Sequence, residues 1–153
     1  YFMNKRLKHG GTNKMYFLRL FRSGIGRVEN TNMDEHVVLS GKICRLKYGF
    51  VHYDYKGLDD WLKKHIWYSG REVVMYSERE YEALSDGKQK RKRGFYYKLP
   101  LFLRAKLYYI YRYYFQLGFL DGKEGKVFCF LQAYWYRFLV DAKIYETKKE
   151  KKK

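Results

Sequence analysis

The chain has 153 residues, enough for one domain with its own hydrophobic core. Its 33 basic and 16 acidic residues give a formal net charge of +17, which predicts attraction to a polyanion: nucleic acid, anionic lipid or a diphosphate-bearing substrate. Two cysteines without CxxC or Cys/His ligand spacing argue against a disulfide framework and a zinc knuckle, and we expect free thiols. The 18 tyrosines and 11 phenylalanines fit base stacking and a membrane surface equally well.

The first third of the chain predicts short strands separated by turns. Residues 14–21 are rich in aromatics and predict a strand, and the two glycines within residues 22–27 predict a turn. Residues 36–55 are β-branched and aromatic, with a break at Ser40–Gly41, and predict a hairpin or two short strands.

The apolar spacing changes to a helical one after Gly57. It predicts a helix from about Leu58 to about Leu84, which the Ser69–Gly70 pair could interrupt. Lys64 and His65 are interpreted as part of its solvated face. Residues 85–94, with five basic residues in a run of six, predict a polar loop between helices.

Two further helices are predicted for residues 101–117 and for about 123–145. The second is apolar nearly all round over residues 127–140, a run short of the roughly 20 residues that a membrane span needs. Trp135 and Phe138 are expected to pack in the core, whereas the tyrosines of residues 108–114 are expected to face an interface.

Three ionisable residues, Asp34, Glu35 and His36, stand together just before the predicted β-rich stretch. General-base catalysis needs a carboxylate near the proton that it removes, at a loop or strand end. Asp34 and Glu35 meet that placement. Adjacent acids are also common on solvated turns, so their spacing alone favours a turn and leaves catalysis open.

Two histidines and two arginines are further candidates. His52 could bind a metal through its neutral imidazole, although a half-buried strand histidine bonded to Asp54 suits the spacing better. His9 stands before two glycines and could contact an acceptor or a phosphate, or be a plain loop residue. Arg22 and Arg27 flank the glycine turn, where bidentate phosphate binding and ordinary surface charge are about equally compatible.

The order of these segments over residues 1–146 resembles the C-terminal half of bacterial glycosyltransferase family 2 proteins, of the type that makes lipopolysaccharide core, capsule or colanic-acid-like exopolysaccharide. The resemblance is carried by "KHGG", "YFLRLFRSGIGRVENTNMDEHVVLSGKICRLKYGFVHYDYKGLDDWLKKHIWYSGRE" and "GFLDGKEGKVFCFLQAYWYRFLVDAKIYE". That family has a GT-A fold, a Rossmann-like sheet flanked by helices. The resemblance implies an α/β fold class, with short strands in the first third followed by about three long helices.

The same resemblance implies a division of the chain. Residues 1–57 would be the C-terminal part of the catalytic domain, residues 58–147 a helical, membrane-proximal extension, and residues 148–153 a disordered basic tail. The Asp-x-Asp motif and the nucleotide-binding half of the family are not found in the sequence, which opens without an initiator methionine. We therefore expect a fragment of a longer enzyme.

The activity implied is transfer of a sugar from a nucleotide-sugar donor to a saccharide or lipid-linked acceptor, usually with inversion. In the family a divalent metal, magnesium or manganese, grips the donor diphosphate, and a later carboxylate deprotonates the acceptor. Glu35 matches that base, with Asp34 as the close second. His52 would contact the metal or the diphosphate, and His9, Arg22 and Arg27 are expected to bind substrate.

The implied location is cytoplasmic and peripheral, on the inner face of the plasma membrane, with an anionic membrane surface and not nucleic acid as the partner. Two alternatives stay open. One is a nucleic-acid-binding module, which the charge and the tyrosines permit. The other is a basic, aromatic adaptor on a membrane surface without catalysis.

Overall fold

The structure is a computed structural model that describes residues 1–12, 16–28, 37–53, 56–79, 82 and 87–151. Within these residues the chain is mostly helical, with one small two-stranded sheet ahead of five α-helices. The predicted order of short strands followed by helices is therefore confirmed. None of the helices in the described ranges is both long enough and apolar enough to cross a bilayer.

The sheet is antiparallel and pairs β1 (Gly26–Val28) with β2 (Val37–Leu39). Val28 lies opposite Val37, and Gly26 lies opposite Leu39. β2 falls within the predicted β-rich stretch, but β1 takes in the end of the predicted glycine turn. A side chain at Gly26 would clash, because a Cβ there would lie 2.6 Å from the Phe21 ring. The glycine thus serves close packing in a strand and does not mark a turn.

The strand predicted at residues 14–21 is not formed by its described part, residues 16–21. Of the hairpin or two short strands predicted within residues 36–55, the described residues form one short strand, β2, whose partner β1 lies upstream. Side-chain pattern marks a segment that can be a strand, but pairing decides whether it becomes one.

α1 (Leu58–Ser77) begins where predicted and runs through Ser69–Gly70 without a break. Asp59 and Asp60 stand in its first turn, where carboxylates suit the positive end of the helix dipole. The Ser69 hydroxyl donates to the Ile66 carbonyl (2.6 Å), so this buried side chain is satisfied within the helix.

α2 (Gly87–Lys98) replaces most of the polar loop predicted for residues 85–94, and that prediction is wrong. Lysine, arginine and glutamine are good helix formers, so a basic run is compatible with a helix once one face is anchored. Tyr97 supplies the anchor, because its buried ring packs edge-on against Tyr76 of α1 (5.1 Å between centroids).

The last two predicted helices are present, and each contains a π-helical segment. The first comprises α3 (Leu103–Ile110) and the π-helical segment Tyr111–Phe115, and a 3₁₀ turn, Gly118–Asp121, follows it. The second comprises α4 (Gly122–Cys129), the π-helical segment Phe130–Trp135 and α5 (Tyr136–Glu150). The basic tail expected from residue 148 therefore starts as the last turn of α5.

The core lies between α1 and α5. Tyr136, Val140 and Ile144 are buried there, and Tyr68, Val73, Tyr76, Leu101 and Trp135 pack against them. Trp135 thus joins the core as predicted, but Phe138 is 40% exposed. Residues two positions apart on an α-helix are rotated by about 200° around its axis. Phe138 therefore faces away from the core that Val140 enters.

Charged side chains are also buried among these helices. The Arg104 guanidinium donates to Asp141 (Nε to Oδ1, 2.7 Å), and both side chains are fully buried. The backbone N–H of Phe102 donates to the other Asp141 oxygen (2.7 Å), so one carboxylate of α5 holds the start of α3. Glu72 of α1 accepts from the hydroxyls of Tyr97 (3.3 Å) and Tyr136 (2.8 Å) and from Arg137.

Candidate functional site

Residues 1–12 dock against the helices that follow more than fifty residues later. The Phe2 ring packs edge-on against Trp61 of α1 (6.2 Å) and Phe128 of α4 (5.2 Å). Lys5 forms an ion pair with Glu124 of α4 (2.9 Å). The "KHGG" segment is therefore held on a helical frame supplied by distant parts of the chain.

Asp121, in the 3₁₀ turn before α4, binds the backbone and the ring of His9. The N–H groups of Lys8 (3.1 and 3.0 Å) and His9 (2.8 Å) donate to its carboxylate, and His9 Nδ1 lies 2.9 Å from Oδ1. Burial acts to raise the pKa of Asp121, but the hydrogen bonds from His9 and Lys8 outweigh it and lower the pKa from its ordinary value. The carboxylate is thus ionised at neutral pH.

An ionised carboxylate only accepts hydrogen bonds, so it fixes the tautomer of His9. Nδ1 carries the proton toward Asp121, and Nε2 of the neutral ring keeps its lone pair. The His9 side chain is 34% exposed, whereas that of Asp121 is buried. Nε2 can therefore accept a hydrogen bond from a ligand hydroxyl, and a protonated ring can donate one to a phosphate.

The two glycines after His9 are required by the backbone. Gly10 and Gly11 have φ angles of +65° and +78°, a region that side chains with a Cβ avoid. Gly10 donates to the Gln116 carbonyl (2.8 Å) and accepts from Arg112 Nε (2.6 Å), which is buried. The interpretation of His9 as a loop residue that glycines make possible is confirmed. The loop is held at Gly10 by hydrogen bonds with Gln116 and with Arg112.

The predicted carboxylates Asp34 and Glu35, with His36, lie outside the described residues. They belong to the connection between β1 and β2, whose two ends are the paired residues Val28 and Val37. Glu35 thus stands two residues before β2.

The predicted arginines are both exposed: Arg27 lies on β1, and Arg22 lies just before the turn that leads to it. His52 is exposed as well and lies in no described strand, so the interpretation as a half-buried strand histidine is wrong. Its neighbour Tyr53 packs at a tilt against Tyr1 (5.2 Å between centroids) and donates to the Asn4 side chain, so the segment of His52 contacts the first four residues of the chain. No described hydrogen bond or ion pair joins either arginine to these histidines.

The described ranges contain no set of ligands for the metal that the resemblance implies. No three His, Cys, Asp or Glu side chains there lie close enough to hold one ion. His52 would supply a single ligand.

His65 was interpreted as part of a solvated face, and this is wrong. Its ring stacks on Trp61 (3.5 Å), Nδ1 lies 2.8 Å from the Trp61 carbonyl, and Nε2 lies 3.1 Å from the Gln132 side chain. Burial lowers its pKa below the ordinary value. His65 is thus a neutral packing contact between α1 and the last long helix.

Asp121 is the site residue that sequence reasoning missed. It stands between glycines in "GFLDG", a segment that entered the sequence analysis only as part of the family resemblance. An aspartate directly before a helix usually caps that helix through its side chain, but this one makes no such bond. Its partners are 112 and 113 residues away, and no local pattern signals such a pairing.

Replacing Asp121 with Asn is expected to lower the free energy of unfolding by about 1.5–3 kcal/mol, since charged hydrogen bonds are lost. Because the folded-state pKa is depressed, the contribution is present above the unfolded pKa and is lost as pH falls through the lower folded pKa. Urea unfolding at pH 7 and at pH 3 measures both. Glu124→Gln, which removes an exposed ion pair, is the control; equal stability of wild type and Asp121→Asn at pH 7 would contradict the assignment.

A separate cleft of about 490 Å³ lies among α1, α2 and α5. Arg79, Lys98, Lys148 and Lys151 line it, and all four side chains are exposed. Exposed cations give a basic surface but do not fix a ligand in one orientation. The His9–Asp121 pair is the better candidate for a binding site. The buried carboxylate of Asp121 fixes the orientation of the His9 ring, while the His9 side chain is 34% exposed to solvent.

The candidate site therefore has two parts. One is the fixed "KHGG" loop with His9, which the structure describes, and the other is predicted from the sequence alone and comprises Arg22, Arg27, Asp34 and Glu35, which no described hydrogen bond or ion pair joins to His9. Comparison with known proteins supplies no neighbour, since no protein-family model, no curated protein and no solved structure matches the chain.

Proposed function

We propose that the chain is the acceptor-side part of a glycosyltransferase. It would transfer a sugar from a nucleotide-sugar donor to a saccharide or lipid-linked acceptor in the biosynthesis of a cell-envelope polysaccharide, with inversion at the anomeric carbon. The single observation that best supports this is the contact between "KHGG" and "GFLDG" through His9 and Asp121. Two segments on which the family resemblance rests, 112 residues apart, thus meet at one fixed histidine.

The proposed reaction is one direct displacement. Glu35 accepts the proton of the acceptor hydroxyl as the oxygen attacks the anomeric carbon. The bond between that carbon and the diphosphate oxygen breaks, and its electron pair leaves with the nucleoside diphosphate. A single displacement inverts the configuration of the anomeric carbon.

The other residues would bind and orient the acceptor and the donor. His9 Nε2 would accept a hydrogen bond from an acceptor hydroxyl, in the tautomer that Asp121 enforces. Arg22 and Arg27 would attract the diphosphate through their exposed guanidinium groups. Magnesium or manganese remains part of the proposal on the donor side, where the Asp-x-Asp motif of the family would hold it. The proposed location is the cytoplasmic face of the plasma membrane.

The test is an assay of the complete protein with a panel of nucleotide-sugars and envelope saccharide acceptors. We expect nucleoside diphosphate release that depends on the acceptor, and a product whose anomeric configuration, read by NMR, is opposite to that of the donor. Retention of configuration would contradict direct displacement. Diphosphate release that is the same with and without an acceptor would contradict transfer.

A further inference from the structure

A row of aromatic rings crosses the two long C-terminal helices on one side. Neighbouring rings contact one another at centroid distances of 4.9–6.4 Å. We call this row the aromatic face, and its members are, in order, Phe119, Tyr113, Tyr109, Phe130, Tyr134, Phe138, Phe102 and Tyr145. It runs from the 3₁₀ turn before α4 to the last turns of α5.

Four of the eight rings of the aromatic face are exposed, and the other four, Phe102, Tyr109, Tyr113 and Tyr134, are half-buried. Phe119, Phe130, Phe138 and Tyr145 are 43%, 45%, 40% and 53% exposed. Leu120, beside Phe119, is exposed too. A continuous apolar surface of this kind is unfavourable in water and marks an interaction site in proteins that retain it.

Cations share the aromatic face. Lys106 lies between Phe102 and Tyr109 at helical spacing, Lys126 lies one turn before Phe130, and Lys149 lies one turn after Tyr145. All three lysines are exposed.

Carboxylates are scarce around the same surface. Over residues 101–149, the span of the aromatic face and its lysines, the acidic residues are Asp121, Glu124, Asp141 and Glu146. Asp121 is bound by His9 and Glu124 by Lys5, both in the N-terminal segment, and Asp141 is buried against Arg104, which leaves Glu146 as an exposed acid of this span. The aromatic face is therefore apolar with a positive rim, which complements an anionic lipid surface.

A single-stranded nucleic acid fits the aromatic face less well. Base stacking needs flat, open ring faces, but only Tyr109 and Tyr113 lie parallel (8°), and the other neighbouring rings meet at angles between 39° and 83°. A second copy of the chain is disfavoured by the net charge of +17 on each copy, which repels.

We propose that the aromatic face is a membrane-docking surface, which inserts its phenylalanines into the interfacial layer of an anionic bilayer while its lysines contact the headgroups. Insertion of aromatic rings and attraction of lysines to headgroups are each weak alone, and together they give stable attachment to the bilayer. Neither His9 nor Glu35 is a member of the aromatic face, so the docking proposal does not rest on the proposed transfer reaction. It would hold the enzyme at the layer where a lipid-linked acceptor lies.

The test is binding of the complete protein to phosphatidylcholine vesicles with and without phosphatidylglycerol, measured by co-sedimentation. Wild type is expected to bind only when phosphatidylglycerol is present. Phe130→Ser with Phe138→Ser is expected to lower the partition coefficient about thirtyfold, since each half-exposed ring loses about 1 kcal/mol of apolar transfer and about 1.4 kcal/mol corresponds to tenfold. Lys106→Gln with Lys126→Gln is expected to lower it by a similar factor, at about 1 kcal/mol per cation.

The matched control is Phe95→Ser with Lys98→Gln, which removes an exposed ring and a cation from α2, off the aromatic face. We expect this control to bind vesicles like wild type. Both rings replaced on the aromatic face are already largely exposed, and circular dichroism verifies that each variant is folded. Sugar transfer to a water-soluble acceptor is expected to be unchanged in the vesicle-binding variants, which separates docking from catalysis.

Three outcomes would overturn the proposal. One is equal vesicle binding by wild type and the double phenylalanine variant. Another is displacement of the protein from vesicles by single-stranded oligonucleotides, which would make the face a nucleic-acid surface. The third is a dimer in sedimentation that the phenylalanine variant abolishes, which would make the face a contact between two copies.

Discussion

Replacing Glu35 with Gln is expected to lower kcat for sugar transfer by about 10²–10⁴-fold, the usual contribution of a general base. Glutamine keeps the size of the side chain and its hydrogen-bonding oxygen, but it accepts no proton at neutral pH. Donor binding should be retained, so the loss is expected in kcat with KM for the nucleotide-sugar little changed. Steady-state kinetics of the complete protein measure both.

The pH dependence separates a base from a residue that only shapes the loop. Wild-type kcat is expected to fall as pH drops and the base becomes protonated, and Glu35→Gln should lose that acid limb. Asp34→Asn, one residue away, is the matched control and should keep the limb. A large loss in Asp34→Asn with normal activity in Glu35→Gln would move the base to Asp34, and full activity of both variants would contradict the mechanism.

Asp141→Ala is expected to lower the free energy of unfolding by about 3–5 kcal/mol, because it leaves the fully buried Arg104 without its carboxylate. The remaining surroundings of Arg104 are tyrosine rings, with Tyr76, Tyr96 and Tyr97 at 5.0–5.5 Å from its guanidinium. Rings attract a cation but do not accept its N–H bonds as a carboxylate does. The same change also frees the Phe102 N–H that starts α3.

Urea unfolding checks this prediction, with Glu146→Ala, an exposed acid of the same helix, as the control. A double variant, Arg104→Met with Asp141→Leu, is expected to unfold with nearly wild-type free energy, since replacing a whole buried pair by apolar groups is often neutral or stabilising. A loss below about 1 kcal/mol in Asp141→Ala, within the range of an ordinary surface change, would show that water reaches Arg104.

Local pattern predicted the parts of the fold that depend on neighbours in the chain. α1 begins at Leu58 as expected, because apolar spacing and the acidic first turn are both local signals. α2 was predicted as a polar loop because its run of like charges was given more weight than the helix propensity of the same residues. The contact between Tyr97 and Tyr76 that anchors it joins two helices and has no local signal. β1 was missed because Gly26 is explained only by the ring of Phe21 that covers it.

The sequence predicted His9 as a site residue but neither Asp121 nor the geometry of the pair. His9 was a candidate from the glycines beside it, yet Asp121, which orients it, lies 112 residues later. The interface expected for the tyrosines of residues 108–114 stays a prediction, whereas Phe138 was placed in the core and is exposed. A helix that is apolar nearly all round gives no sequence signal for which side stays uncovered.

The contact between His9 and Asp121 also bears on how the protein emerges from the ribosome. Translation at about 5–20 residues per second leaves roughly 6–22 seconds between these two residues. During that interval the "KHGG" loop has no Asp121, no Arg112 and no Gln116 to hold it. Closing so long a loop is entropically unfavourable, so α3 and α4 should form first and the loop should dock last. A chain that stalls before α4 would keep a loose His9, so the orientation of one imidazole would report that synthesis had passed α4.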